Sequence, residues 1–229
     1  MAITFKHPMS LMVSLARNDV DLAKAAVDGG ADALKTHVNV EHRASGTVFG
    51  TVEEERPALE AILGLGLPVG LVAGGAGTVT REELAAAREL VFAFFDVYFH
   101  HAPAWYVEAA PEGGAVGGFA DTEPLERASC LRDLGIDAVE ASLTPHEEYG
   151  TPLHLARVSD IARLRAVSGL PVIVPSQHAL TPQDVPALAQ AGAAALLIGV
   201  VVTGDTPEQV GEVTAGFRAA IDALPGSSG

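Results

Sequence analysis

Eight short apolar runs alternate with amphipathic stretches along the chain, and this alternation constrains the fold more than any other feature. The runs cover residues 11–16, 33–36, 69–73, 95–100, 115–120, 138–143, 172–176 and 195–199. Strands that alternate with helices are typical of a parallel sheet with helical crossovers. Eight such units predict a single (β/α)8 barrel of the TIM type, a fold that takes roughly 250 residues. We assign residues 1–224 to the barrel and expect 225–229 to be a disordered tail.

Charge and hydropathy exclude several classes of partner. The formal net charge of −15 argues against nucleic acid and against anionic membrane surfaces. No apolar run approaches the roughly 20 residues of a membrane span, and the first residues lack a signal-peptide pattern. The single cysteine, Cys130, lies on a predicted amphipathic helix, where we expect a small buried side chain and no intramolecular disulfide. We therefore expect a cytoplasmic homo-oligomer that acts on a small anionic molecule.

Polar side chains gather where the predicted strands end, whereas small or apolar residues such as glycine, alanine and proline precede the strands. In this fold the active site lies at the C-terminal ends of the strands, so the candidate site is this rim. The polar residues at these ends are Arg17, Lys35, His37, Asn39, His100, His101, Asp121, Glu140, Ser142, Thr144, Ser176, Gln177 and His178.

Lys35 and Glu140 are the strongest catalytic candidates. Strand alternation places Lys35, His37 and Asn39 on one side of their strand, and an inward Glu140 is costly to bury without a partner. Together they predict an acid/base pair, or an ammonium that stabilises an enolate. A lysine with a lowered pKa would instead serve as a base or a Schiff-base amine.

Histidines supply the secondary candidates. His37 and His101 are predicted to orient or polarise a substrate carbonyl. A two-histidine, one-carboxylate metal site is the alternative role for the rim histidines, but no tight ligand spacing supports it. We predict no metal and no other cofactor.

The last two strands predict a phosphate site. One ends in Pro175, Ser176 and Gln177, a helix starts at Thr181, and the last strand ends in Gly199. Barrels of this type often hold phosphate with backbone N–H groups at these ends, although Pro175 offers none. The predicted binding residues are Arg17, Asn39, Asp121, Thr144, His146, Ser176, Gln177, Gly199 and Thr203. The long polar loops 38–50 and 145–152 are predicted to cover the substrate.

From Gly118 onward the chain resembles N-acetylmannosamine-6-phosphate 2-epimerases and their ribulose-phosphate-binding barrel relatives. The likeness rests on Phe119-Ala-Asp-Thr, Gly135-Ile-Asp-Ala-Val, Ala141-Ser-Leu-Thr, Leu170-Pro-Val-Ile, Thr181-Pro, Ala191-Gly-Ala and Leu197-Ile-Gly. It implies a phosphosugar-binding barrel. The catalytic residues of those epimerases do not transfer, because this chain has Leu71-Val-Ala where they have a lysine and Pro175 where they have a glutamate.

The sequence as a whole predicts an isomerase or epimerase of a small phosphorylated sugar or related hydroxy-carbonyl compound. Proton transfer next to a carbonyl is the expected reaction. A Schiff-base aldolase or lyase that uses Lys35 is the first alternative, and a non-catalytic ligand-binding barrel is the second.

Overall fold

Eight parallel strands form a closed barrel in sequence order, which confirms the predicted (β/α)8 fold. The computed structural model describes residues 3–226, so 227–229 of the predicted tail lie outside the described residues, while Pro225 and Gly226 form a turn. The strands are β1 Ser10–Ser14, β2 Ala33–His37, β3 Val69–Val72, β4 Phe94–Tyr98, β5 Ala115–Ala120, β6 Ala138–Ser142, β7 Val172–Pro175 and β8 Ala195–Ile198.

The helices that connect the strands vary in length. They are α1 Val20–Asp28, α2 Val52–Leu63, α3 Arg81–Arg88, α4 Tyr106–Ala109, α5 Leu155–Ser168, α6 Val185–Gln190, α7 Val200–Thr203 and α8 Pro207–Asp222. Short 3₁₀ turns cover Leu125–Cys130, His146–Glu148 and Pro182–Asp184. Among residues 3–226, no helix is long and apolar enough to cross a membrane.

The connection between β5 and β6 corrects one expectation about Cys130. A 3₁₀ turn replaces the amphipathic helix predicted there, and Cys130 is exposed rather than buried. The turn buries Ala128, while the Cys130 Sγ atom lies against the carbonyl of Arg127 on the surface.

Two threonines cap the helices that follow β2 and β3. Thr51 and Glu54 form a reciprocal capping box at the start of α2. Thr80 accepts a hydrogen bond from the N–H of Glu83, but the Glu83 carboxylate does not return it. That carboxylate accepts from Asn39 Nδ2 at 2.7 Å and from the N–H of Val52 at 3.0 Å, so it ties the β2 loop to the start of α2.

Inward-facing side chains fill the barrel in layers contributed by alternate strands. The lower layers are apolar, and Gly70 leaves room for the ring of Phe94, which occupies the space a Cβ would need. Three of the four residues in the next layer are charged, and all are nearly inaccessible: Lys35 is 5% exposed, Asp96 4% and Glu140 7%. Leu197 completes this layer. A packed apolar barrel therefore ends in a buried ionic layer, which forms the floor of a cavity.

Candidate active site

The structure brings Lys35 and Glu140 together at the floor of the cavity. Lys35 Nζ lies 2.5 Å from Glu140 Oε2 and 3.2 Å from Asp96 Oδ2. Ser142 Oγ donates a hydrogen bond to the other Glu140 oxygen at 3.0 Å. Leu34 packs in the outer core between strands and helices, so strand alternation directs Lys35 inward as predicted.

Burial and mutual charge set the protonation of this cluster. Burial by itself would lower the pKa of Lys35, but the carboxylates of Glu140 and Asp96 outweigh it and raise that pKa above its ordinary value. Burial would raise the pKa of Glu140, but the Lys35 ammonium together with hydrogen bonds from Asp96 and Ser142 lowers it. The pKa of Asp96 is raised by burial and by the neighbouring Glu140 carboxylate. The arrangement favours an ammonium, a carboxylate and a protonated carboxyl side by side.

The raised pKa of Asp96 predicts a pH-dependent effect of Asp96→Asn. A carboxyl group with a higher pKa in the folded protein than in the unfolded protein stabilises the fold at low pH. That contribution to the free energy of unfolding falls by about 1.4 kcal/mol per pH unit as pH rises from the unfolded-state pKa to the folded-state pKa. Asparagine cannot titrate. Urea unfolding between pH 4 and pH 8 should therefore show the wild type losing stability relative to Asp96→Asn as pH rises; a constant difference across that range would contradict the assignment.

Above the ionic floor the cavity has a volume of about 200 Å³, room for a small metabolite rather than a macromolecule. Its walls come from the last inward positions of the strands. The contributing residues are Ser14, His37, Val72, Tyr98, Gly118, Ser142, Pro175 and Gly199. At Gly118 an added Cβ would approach Tyr98 to 3.3 Å, so a glycine there keeps the cavity open.

Both predicted catalytic histidines line the cavity, and both are held neutral. The His37 ring stacks on Phe49, and burial together with nearby His42 and Lys35 places the pKa of His37 well below its usual value. The pKa of His101 is lowered by burial and by His100. Each ring has a buried Nδ1 with no hydrogen-bond partner in the described chain. Neutral imidazoles can orient a substrate oxygen, but they do not supply positive charge.

The predicted phosphate site, at the ends of β7 and β8, is only partly free to bind an anion. Ser176, Gln177 and Gly199 line the cavity, together with Val200 and Val201. The N–H of Gly199 donates to Ser176 Oγ at 2.8 Å. The Gln177 amide accepts from the N–H of Thr144 and donates to the Tyr149 hydroxyl. At the start of α7 the N–H groups of Val202 and Thr203 donate to the carbonyl of Gly199, so the N–H groups of Val200 and Val201 are the donors of that helix next to the cavity.

The structure places six predicted binding residues outside the cavity lining: Arg17, Asn39, Asp121, Thr144, His146 and Thr203. Arg17 pairs with Asp19 and with the carbonyl of Asp205. Asp121 and His146 are exposed, and the His146 ring lies against Tyr149. Thr144 is buried with its N–H on Gln177, and Thr203 Oγ1 donates to the carbonyl of Gly204.

Asn39 corrects the expectation that it shares a side with Lys35 and His37. β2 ends at His37, and the backbone of Asn39 takes a left-handed conformation with φ 53°. Strand alternation no longer applies beyond the strand end, so the Asn39 side chain turns to Glu83 instead of the cavity.

Sequence reasoning missed three residues of the site: Asp96, Tyr98 and Arg43. Asp96 is a lone carboxylate inside an apolar run, and this feature of the sequence could have identified it as a site residue. Tyr98 is hydrogen-bonded to Ser142, and burial raises its pKa to about 12, so its hydroxyl stays protonated. Arg43 reaches the cavity mouth from an exposed loop and lies near Tyr149.

The two long loops meet over the cavity. Loop 38–50 contributes Val40, Glu41, His42, Arg43 and Ala44 to the lining, and loop 145–152 contributes Tyr149. We expect both loops to gain amide hydrogen-exchange protection on addition of a saturating substrate analogue, because closure would shield them from water. Equal protection of these loops with and without the analogue would contradict a lid.

Comparisons with known proteins support the fold and no more. No protein-family profile matches the chain, and no curated protein is recognisably related to it. Among solved structures, a mutant tryptophan synthase alpha-subunit from Pyrococcus furiosus superposes with a TM-score of 0.72 at 18% identity, over 94% of this chain and 100% of that one. Phosphoribosyl anthranilate isomerase from Thermus thermophilus gives 0.66 at 17%, over 92% and 99%. Thiamine phosphate pyrophosphorylase from Pyrococcus furiosus gives 0.67 at 13%, over 95% and 98%.

Proposed function

We propose that the protein is an isomerase or epimerase that moves a proton next to the carbonyl of a small phosphorylated hydroxy-carbonyl compound. The observation that carries the proposal is the buried cluster of Lys35, Glu140 and Asp96 at the floor of the cavity. A buried ion cluster costs desolvation free energy and is weak evidence for stability, whereas strongly shifted pKa values in a cavity indicate chemistry.

Each member of the cluster has a role that its charge supports. The Glu140 carboxylate accepts the proton from the carbon next to the carbonyl, and the electron pair of that C–H bond moves to the carbonyl oxygen as an enolate. The Lys35 ammonium stabilises the developing oxyanion. The protonated carboxyl of Asp96 is the nearby acid that can return a proton. His37 or His101 orients the substrate oxygens.

The raised pKa of Lys35 disfavours the Schiff-base alternative. An amine attacks a carbonyl only when it is unprotonated, and the adjacent Glu140 carboxylate, together with Asp96, holds this one as an ammonium. An aldolase or lyase through Lys35 therefore remains an outcome of the test rather than a second proposal.

The phosphorylated substrate class rests on positive groups near the mouth of the cavity. Arg43 and the first two residues of α7, Val200 and Val201, line the cavity, and their guanidinium and backbone N–H groups are the donors we assign to an anion. The proposal also agrees with the resemblance to ribulose-phosphate-binding barrels and with one structural neighbour, phosphoribosyl anthranilate isomerase.

Replacing Arg43 tests the anion-binding part of the proposal. Arg43→Gln is expected to weaken binding of inorganic phosphate by about tenfold or more, since hydrogen bonds to charged groups contribute about 1.5–3 kcal/mol. Calorimetric titration with phosphate measures the change, and Arg88→Gln, at an exposed arginine on α3, is the matched control. Equal phosphate affinity in both variants and the wild type would remove Arg43 from the site.

A panel of small phosphorylated aldoses and ketoses tests the reaction itself. Each compound is incubated with the protein in deuterium oxide, and loss of the proton next to the carbonyl is followed by NMR. A parallel sample is treated with borohydride and examined by mass spectrometry. Deuterium uptake without an adduct supports proton transfer. A substrate-dependent reduced adduct on Lys35 supports the Schiff-base alternative, and neither result across the panel would favour a non-catalytic barrel.

A further inference from the structure

Three potential metal ligands converge outside the cavity lining, on the side of the rim between β6 and β7. Glu148, His154 and His178 each offer a ligand atom, and these atoms all lie within 4.8 Å of one another. We propose that this cluster is a binding site for one Zn²⁺ ion. None of the three side chains belongs to the ionic floor or to the cavity lining.

His178 provides the strongest support, because its ring is already oriented to bind a metal ion. Its side chain is buried, with the residue 3% exposed, and its Nε2 has no hydrogen-bond partner among residues 3–226. Its Nδ1 lies 3.2 Å from the carbonyl oxygen of Thr151 and 3.1 Å from the Thr151 hydroxyl. A bond from Nδ1–H to that carbonyl leaves the lone pair on Nε2, which is how zinc-binding histidines are usually oriented. A buried nitrogen without a partner is costly, and a metal ion would satisfy it.

The other two ligands complete a set that zinc accepts. The His154 ring meets the His178 ring edge-on, with 5.4 Å between centroids, and His154 is exposed. The Glu148 carboxylate forms a loose ion pair with Arg157 at 3.8 Å, since Arg157 makes its closer contact with Asp160 at 3.0 Å. Two histidines and one carboxylate leave a fourth tetrahedral position, which water can fill from the exposed side.

A Zn²⁺ ion at this site would hold one wall of the cavity in place. Glu148 precedes Tyr149 in the chain, and His178 follows Gln177. Tyr149 and Gln177 line the cavity, where the Gln177 amide donates a hydrogen bond to the Tyr149 hydroxyl at 2.7 Å. An ion held by Glu148, His154 and His178 would join loop 145–152, the start of α5 and the segment after β7. The inferred role is therefore structural: Zn²⁺ fixes the position of Tyr149, and the proton-transfer step does not pass through the metal.

Titration of the metal-free protein with Zn²⁺, in competition with a chromophoric chelator, tests the site. We expect one ion per chain. Glu148→Gln and His154→Ala, two changes on the outer side of the cluster, should each weaken Zn²⁺ binding by more than about tenfold, the lower end of what even outer-shell changes cost. Glu147→Gln and His7→Ala are the matched controls, because both residues are exposed and lie outside the cluster.

A second measurement covers the buried ligand. Because His178 is buried, His178→Ala removes core packing as well as a ligand, so its effect is read as the change in thermal midpoint that Zn²⁺ produces and not as the midpoint alone. Zn²⁺ should raise the midpoint of the wild type and of both controls by the same amount, and should raise that of the Glu148, His154 and His178 variants by less at the same Zn²⁺ concentration. Equal Zn²⁺ affinity and equal stabilisation in cluster and control variants would overturn the proposal, whether or not the protein proves to be an isomerase.

Discussion

Replacing Lys35 with methionine is expected to lower turnover by about 10²–10⁴, the usual scale for groups that assist proton transfer. The ammonium lies 2.5 Å from Glu140 and faces the cavity, so it is positioned to stabilise negative charge that develops on a substrate oxygen. Methionine fills a similar volume without charge, and the effect should therefore fall on the rate rather than on the shape of the cavity. Steady-state kinetics with the substrate found in the panel measures it.

Lys24→Met provides the matched control for turnover. Lys24 is an exposed lysine on α1, and among residues 3–226 its ion-pair partner is the exposed Asp21. It should retain wild-type turnover, and circular dichroism should show both variants folded. A folded Lys35→Met protein with wild-type turnover would exclude Lys35 from the reaction.

The same Lys35→Met substitution is expected to reduce the free energy of unfolding by about 3–5 kcal/mol at pH 8, because it leaves two buried carboxyl groups without their cation. The loss should shrink as pH falls. Without the ammonium, burial raises the pKa of Glu140 in the folded protein above its unfolded value, so protonation at lower pH restores stability. Urea unfolding at pH 5 and pH 8 measures both effects.

The double variant Lys35→Met with Glu140→Gln separates this electrostatic cost from lost packing. Removing both charges leaves no ionised Glu140 to bury, so the double variant should be more stable than Lys35→Met alone at pH 8. A double variant whose loss of stability relative to the wild type equals the sum of the two individual losses would show that the pair does not interact as the structure indicates.

Periodicity was sufficient to predict the fold and the central pair. Each apolar run became a strand, because a strand buried on both faces requires a nearly continuous apolar sequence. Lys35 and Glu140 were predictable because strand alternation and a shared rim leave few directions for an inward charged side chain. Asp96 was missed since it sits within a run that its neighbours, Phe95 and Val97, make apolar.

The remaining parts of the site depend on loops, where no periodicity exists. Asn39 was predicted to face the cavity, but β2 ends two residues earlier and the chain turns. Arg43 reaches the cavity mouth only because loop 38–50 folds back over the barrel. The cluster of Glu148, His154 and His178 comes from segments on either side of α5, so no ligand spacing in the sequence could indicate it.

In the proposed reaction Glu140, beside the Lys35 ammonium, removes the proton from the carbon next to the substrate carbonyl. The most direct test compares the rate of solvent deuterium uptake next to the substrate carbonyl in the wild type, in Glu140→Gln and in Glu147→Gln, a control at an exposed glutamate. The wild type and the control should exchange at the same rate, and Glu140→Gln should be slower by about 10²–10⁴. Wild-type exchange by a folded Glu140→Gln protein, or turnover by the wild type with no deuterium uptake, would contradict the account.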